Sequence, residues 1–445
     1  MKIAIIGGGI SGLATAYFVH KFNKNIQLDL YEKDEVLGGK IKTLRMHGFC
    51  IEQGSNGFLS SRKDAIDLAK DMDIEHLLLK SEDVARKRYL FDGIKVHKIP
   101  ENVKEFFYSS MLGVGSKIRV ASEIIMPVKK NDSEESLQSF GYRRVGKEFT
   151  DKMLDAMSAG IFASTPTKLS VNAAFPAVVN LEKEYGSLTY GMLKKKKKEA
   201  GPGGVLTSFK NGMSTFIDEL VKQSGACLKT NMEVESISKN SAGWQLKIKD
   251  GEYKEYDKIV LSTPSYISSR LVKNFNPELS ELLRQIEYSP VSVVALGYDD
   301  LPDGSLDGFG LLTTKDANAQ VLGILWDSSI FSDRATEGKK LIRVMIGGQR
   351  NPLLAAKEEN DLIDIAIGAV RQIMGLYNKP LLTHVTRWFK GIPNYGVGHL
   401  SLIEKIFASV KNNEGLYLNS NAYKGVSFND CIINSKQCAL DIMRN

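Results

Sequence analysis

The sequence has only four cysteines, Cys50, Cys227, Cys431 and Cys438, with no Cys-x-x-Cys pair and no histidine placed to join one. That excludes a disulfide framework and a zinc finger, and is expected of reduced thiols in a cytoplasmic setting. No metal site is expected. No uncharged apolar stretch approaches the roughly 20 residues that span a bilayer. No leader peptide is expected either, because a motif-bearing strand starts at Lys2. Low-complexity sequence is confined to Lys194–Lys198. That run lacks interleaved aromatics and precedes Gly201-Pro202-Gly203-Gly204, so it reads as a solvated loop rather than a nucleic-acid contact. Lys plus Arg (59) exceeds Asp plus Glu (52), a net charge of +7. The excess is diffuse and suits an anionic substrate or a membrane surface. With 445 residues, 43% hydrophobic and 25% charged, the chain is globular and long enough for about three domains or subdomains.

What is present begins at once. Lys2 to Ile6 (KIAII) reads as a strand buried in a parallel sheet. Gly7, Gly8, Gly9, Ile10, Ser11 and Gly12 follow and open a helix. Gly7 permits the tight turn, Gly9 lets backbone approach a pyrophosphate, and Gly12 lets helix and strand pack closely. A second strand, Gln27 to Tyr31, ends in Glu32 and Lys33, with Glu32 twenty residues beyond Gly12. A carboxylate there accepts both ribose hydroxyl protons of an adenosine. Gly38, Gly39 and Lys40 come next. Alone this pair is a plain turn, but joined to the first motif it resembles the extended flavoprotein fingerprint, in which a second loop closes on FAD.

The rest divides into one discontinuous unit with two insertions. Val205 onward is β-rich, with a helix at Ser214–Gln223 and strands at Trp244–Lys249 and Lys258–Ser262. Gly415–Leu418 and a helix at Cys431–Met443 repeat the strand-then-helix order. The expected fold is α/β: a Rossmann-like FAD-binding domain of the two-dinucleotide-binding type at 1–89, 201–264 and 384–445. A strand-rich substrate domain is expected at 265–383, and an inserted helical domain at 90–200. Expected substrate-domain strands are Val291–Gly297, Gly308–Thr313, Val321–Trp326 and Leu341–Gly347. In the helical insertion, Phe106, Phe107, Tyr108, Met111 and Leu112 lie between Lys104 and Lys117. Such a stretch either fills a core or docks on lipid through aromatics with basic flanks.

From Lys2 to the last helix the chain resembles the protoporphyrinogen and coproporphyrinogen oxidases of the flavin amine oxidase superfamily. The resemblance rests on Gly160-Ile161-Phe162-Ala163, Leu181-Glu182 with Tyr185-Gly186-Ser187-Leu188, and Gly323-Ile324-Leu325-Trp326-Asp327. It continues through Arg387-Trp388, Ile392-Pro393-Asn394-Tyr395, and Asn421-Ala422-Tyr423-Lys424-Gly425-Val426. It implies noncovalent FAD, with further contacts at Gly54, Ser55, Asn56, Gly57, Val234, Val426, Ser427 and Phe428. Trp388 either flanks the flavin or packs. Candidate substrate contacts are Gly160, Phe309, Gly310, Leu312 and Ile346. No side chain is assigned as catalytic, since flavin N5 takes the hydride.

The implied reaction is oxidation of protoporphyrinogen IX by dioxygen, with coproporphyrinogen III or another amine oxidase-type substrate as alternatives. A noncatalytic FAD scaffold is the reading from another class. A homodimer, a cytoplasmic location and peripheral membrane contact complete the expectations; no nucleic-acid partner is expected. His399 and Cys431 read as structural. Ser55 stands where the family commonly has proline, and Ser164, Ser420, Ser427 and Ser435 where it commonly has glycine. Either these positions are tight and FAD binding suffers, or the hydroxyls add hydrogen bonds; the intact first fingerprint favours the second.

Overall fold

The computed structural model describes residues 1–131, 133–198, 204–241, 243–299, 301–302, 304 and 306–444. Lys2–Ile6 is the central strand of a five-stranded parallel sheet ordered Cys227–Lys229, Gln27–Tyr31, Lys2–Ile6, Lys258–Leu261, Leu416–Leu418. Side chains alternate across a strand, and here both faces are covered. Ile3 and Ile5 pack on the helices Ile10–Phe22 and Phe428–Arg444. Ala4 and Ile6 pack on the side that holds Val234–Asn240, Gly243–Ile248 and Tyr253–Tyr256. The uninterrupted apolar run KIAII is the sequence record of that double burial.

A seven-stranded sheet forms the second layer, ordered Leu382–Pro393, Tyr288–Tyr298, Lys340–Gly347, Val321–Leu325, Gly310–Thr313, Tyr89–Phe91, Val96–Lys98. The four strands expected here are present with ends moved by a few residues. The sheet also takes in Leu382–Pro393 and the hairpin 89–98, so it crosses the expected divisions at 384 and 90. One face packs Ile342, Val344 and Ile346 against the helix Glu359–Met374. The other face, bearing Arg343 and Met345, turns toward the first layer.

The insertion is helical, as expected, but two details differ. Lys194–Lys198 ends the helix Leu188–Lys198 rather than forming a loop, because lysine has good helix propensity. Most of the Gly-Pro stretch after it, 201–203, lies outside the described residues. Met111 and Leu112 are buried with Leu90 and Ala156, and Phe106 packs against the same cluster. Phe107 and Tyr108 on the helix Val103–Tyr108 stay exposed, beside Val114 and Ile118 on the helix Val114–Ala121. Among the described residues no helix is long and apolar enough to cross a membrane.

Candidate active site

A cavity of about 1760 Å³ lies where the two sheets and the helical insertion meet. Single small-molecule pockets run to about 1,000 Å³, so this one has room for a large cofactor and a second ligand. Its first end is built by the glycine loop. Gly7 sits at φ +108°, and a Cβ on Gly12 would lie 2.0 Å from the Gly7 carbonyl oxygen, so helix and strand meet backbone to backbone. A Cβ on Gly9 would meet nothing nearer than Gly39 Cα at 3.9 Å; this backbone is open to the cavity. The helix it opens has no side-chain cap and no acidic residue in its first turn, leaving N–H groups free for an anion. The Gly38 N–H donates to the Gly8 carbonyl at 2.8 Å, which closes the second glycine loop on the first.

Glu32 Oε2 accepts from the Gly8 N–H (2.8 Å), and Oε1 accepts from the Asp34 N–H (3.1 Å). A carboxylate has about four acceptor sites, so this one is fixed in place with capacity left for two hydroxyl groups on the cavity side. Open glycine backbone, free helix N–H groups and a held carboxylate together fit a dinucleotide such as FAD.

Most of the expected residues are brought together. Gly7, Gly9, Ile10, Ser11, Glu32, Lys33, Gly38, Gly39, Lys40, Gly54, Ser55, Asn56 and Gly57 line the cavity. So do Val234, Trp388, Val426, Ser427, Phe428, Gly160, Phe309, Gly310 and Leu312. Gly8 and Gly12 sit behind them, Gly8 holding Glu32. Ile346 is the correction. It is fully buried in the far-side core of its strand, and the period of two puts its neighbours Met345 and Arg343 on the cavity instead. Trp388 lines the cavity, and its Nε1 donates to the Gln53 carbonyl at 2.8 Å.

None of the five serines has a positive φ. Ser55 donates to the Gly57 carbonyl and Ser164 to Asn394 Oδ1. Ser420 accepts from the Ala422 N–H, and Ser427 accepts from the Asp430 N–H at the start of the last helix. Ser435 donates to the Ser11 carbonyl at 3.0 Å. The hydroxyls are used as hydrogen-bonding groups at unstrained positions. His399 is buried against Tyr395, ring centroids 4.1 Å apart, away from the cavity. Burial pushes the Cys431 thiol up to about 11, which leaves it inert.

Sequence reasoning missed the far wall. Leu90, Ile99, Phe149, Met153, Met157 and Ile161 make it apolar. Arg88 is its cation: the guanidinium lies 5.2 Å from the centre of the Phe309 ring, and no carboxylate pairs with it among the described residues. Nothing in the local stretch Lys87-Arg88-Tyr89 marked it. By contrast Arg343, also on the lining, is buried and spent on Asp327 and the Glu52 carbonyl.

A family described as flavin containing amine oxidoreductase matches residues 10–443. The coproporphyrinogen III oxidase of Bacillus subtilis (strain 168) is 29% identical over 465 residues, covering 99% of this chain and 97% of that protein. The chloroplastic protoporphyrinogen oxidase of Nicotiana tabacum is 28% identical over 471 residues, covering 99% and 85%. A solved structure from Exiguobacterium sp. 255-15, proposed to be a protoporphyrinogen oxidase, superposes with a TM-score of 0.89 at 24% identity, covering 100% of this chain and 99% of that one.

Proposed function

This chain belongs to the flavin-containing amine oxidoreductases and takes FAD as its cofactor, and from that premise we propose that it oxidises protoporphyrinogen IX to protoporphyrin IX, with dioxygen as the electron acceptor. One observation carries the reading: a single cavity joins the dinucleotide end at Gly9 and Glu32 to an apolar wall edged by the guanidinium of Arg88, which has no carboxylate partner among the described residues. That combination suits a flat, hydrophobic macrocycle with carboxylates on one side. The relatives named for coproporphyrinogen and protoporphyrinogen oxidation support the same substrate class.

Bound FAD supplies a hydride acceptor at N5. The chain supplies position and dryness. Arg88 holds a substrate carboxylate at the rim. Gly160 packs directly on Leu312, where a Cβ would meet Cδ2 at 3.0 Å, so the helical wall and the stretch Phe309–Leu312 together bound the substrate end of the cavity. Phe149, Met153 and Met157 keep water off the reacting carbon. The last helix presents its N-terminus to the cavity at Val426–Asn429, where a positive dipole end favours negative charge. Gly7–Gly12, Glu32–Lys33, Gly38–Lys40, Gly54–Gly57, Val234, Trp388 and Val426–Phe428 are the proposed cofactor contacts.

Coproporphyrinogen III is the second reading, favoured by the Bacillus subtilis relative. It carries propionates where protoporphyrinogen has vinyls, and each extra carboxylate wants its own cation. The wall of Leu90, Ile99, Phe149, Met153 and Met157 suits vinyl groups better. We also place a peripheral membrane contact on the exposed residues Phe107, Tyr108, Val114 and Ile118, flanked by Lys104 and Lys117. The deciding experiment gives the yellow protein each reduced porphyrinogen in turn. Protoporphyrinogen IX is expected to bleach the flavin anaerobically, and to yield fluorescent porphyrin in air faster than coproporphyrinogen III. The opposite order selects the second substrate, and bleaching by neither sinks the porphyrinogen reading.

A further inference from the structure

The wall opposite the cofactor end is one helical segment: a single π turn, Thr150–Leu154, running into the helix Asp155–Phe162. Its cavity side carries Met153, Leu154, Ala156, Met157, Gly160 and Ile161. Its other side carries two carboxylates, Asp151 and Asp155, both buried. Asp155 Oδ2 accepts from the Lys315 N–H (3.0 Å) and from the Arg350 guanidinium. Arg350 also donates to the Thr313 carbonyl at 2.7 Å. Asp151 accepts from Lys315 Nζ (3.0 Å), Lys147 Nζ (2.6 Å) and the Tyr142 hydroxyl (2.9 Å).

Thr313 ends the strand Gly310–Thr313, whose Leu312 packs on Gly160 of the helical wall. Arg350 follows the strand Lys340–Gly347, which brings Met345 to the same cavity. The ion pairs therefore tie two strands of the seven-stranded sheet to the helical wall of the cavity, on the side of that wall away from the cavity. A buried ion pair is a poor source of stability, and its best-attested use is to fix one geometry among several.

We propose that Asp155 and Arg350 are positioning residues that hold the helical wall of the cavity, Met153 to Ile161, against the strand Gly310–Thr313, and so govern how tightly a flat substrate is gripped. This rests on the proposed porphyrinogen reading for its substrate, and on geometry alone for its clamp.

The test uses FAD-loaded protein and the variants Asp155→Asn, Arg350→Gln and Arg350→Lys. Asp155→Asn and Arg350→Gln are expected to raise KM for protoporphyrinogen IX about ten-fold, with kcat within about three-fold of wild type. Binding of protoporphyrin IX, followed by quenching of tryptophan fluorescence, is expected to weaken in parallel. Flavin content and reduction by dithionite stay unchanged. Arg350→Lys, which keeps the charge, is expected to recover most of the loss. Amide hydrogen exchange across 149–162 is expected to quicken in Asp155→Asn while that of 2–22 holds. Unchanged KM and unchanged exchange in folded Asp155→Asn would overturn the clamp. A fall in kcat together with flavin loss would also overturn it, assigning the pair to stability. If wild type neither oxidises nor binds the porphyrin, the functional reading falls, and hydrogen exchange still decides the clamp.

Discussion

At the residue scale the cavity depends on a few side chains whose alternatives are easy to state. Glu32 is oriented by the N–H groups of Gly8 and Asp34, so Glu32→Ala removes an acceptor already in place rather than one that must be recruited. Two ribose hydroxyls lose their partner, at a cost of roughly 1–3 kcal/mol. Flavin retained after extensive dialysis is expected to fall well below one per chain, and full retention would contradict the assignment. Gly160→Val tests the other end. Even a Cβ there meets Leu312 Cδ2 at 3.0 Å, and branches beyond it displace Leu312 at the cavity that both residues line. KM for the porphyrinogen is expected to rise while flavin content holds at about one per chain, read by steady-state kinetics and by flavin absorbance.

Elements show how the insertion is held. Glu123 is buried between the segment Ser122–Ile125 and the helix Leu188–Lys198. Burial alone would raise its carboxyl. The N–H groups of Leu188 and Thr189, the Ser187 hydroxyl and the Arg144 guanidinium outweigh that and hold it at about 2. A folded-state pKa below the unfolded value of about 4.3 contributes stability at neutral pH that is lost as pH falls through the folded pKa. The contribution is on the order of 3 kcal/mol. The insertion is therefore expected to loosen between about pH 4 and 2. Glu123→Gln is expected to flatten that part of the acid-unfolding curve measured by circular dichroism, and to lower stability at pH 7. An acid limb identical to wild type would show that other carboxylates set it.

At the scale of the whole molecule, two sheets and a helical insertion close on one another around a volume that none of them encloses alone. A cofactor so enclosed needs no covalent tether, and Cys431, at the end of the helix start Val426–Cys431 (VSFNDC), borders the cavity as a buried thiol that desolvation keeps protonated. Acid precipitation is accordingly expected to release all the flavin into the supernatant; yellow colour left in the pellet would refute this. The outer face of the insertion exposes Phe107, Tyr108, Val114 and Ile118. Each apolar side chain is worth about 1.5–3 kcal/mol at full burial, and each nearby lysine adds about 1 kcal/mol on anionic lipid. The protein is expected to co-sediment with vesicles containing phosphatidylserine at low salt. Phe107→Ser combined with Ile118→Ser should abolish that without loss of flavin. Wild type remaining in the supernatant would leave this face without a lipid role.

The dinucleotide end was legible in the residues because it is local: strand, Gly7–Gly12, helix and Glu32 are consecutive, and each glycine answers a short-range steric demand. Buried strands were legible for the same reason, as in KIAII, where covered faces leave no polar position. Tertiary structure decided what depends on which face of an element meets which neighbour. The resemblance points to Ile346, but Met345 lines the cavity, a difference of one residue that the period of a strand turns into opposite sides of a sheet. The stretch holding Met111 and Leu112 suits a core or a lipid surface alike, and these two are core because Leu90 and Ala156 arrive from elsewhere in the chain. Arg88, and the pairing of Asp155 with Arg350 across 195 residues, carry no local signature at all. Local sterics and patterning are properties of short segments, and so the sequence by itself determined the cofactor loop and the layers. A cavity-lining guanidinium and a buried ion pair are defined by their surroundings, and only the closed chain provides those.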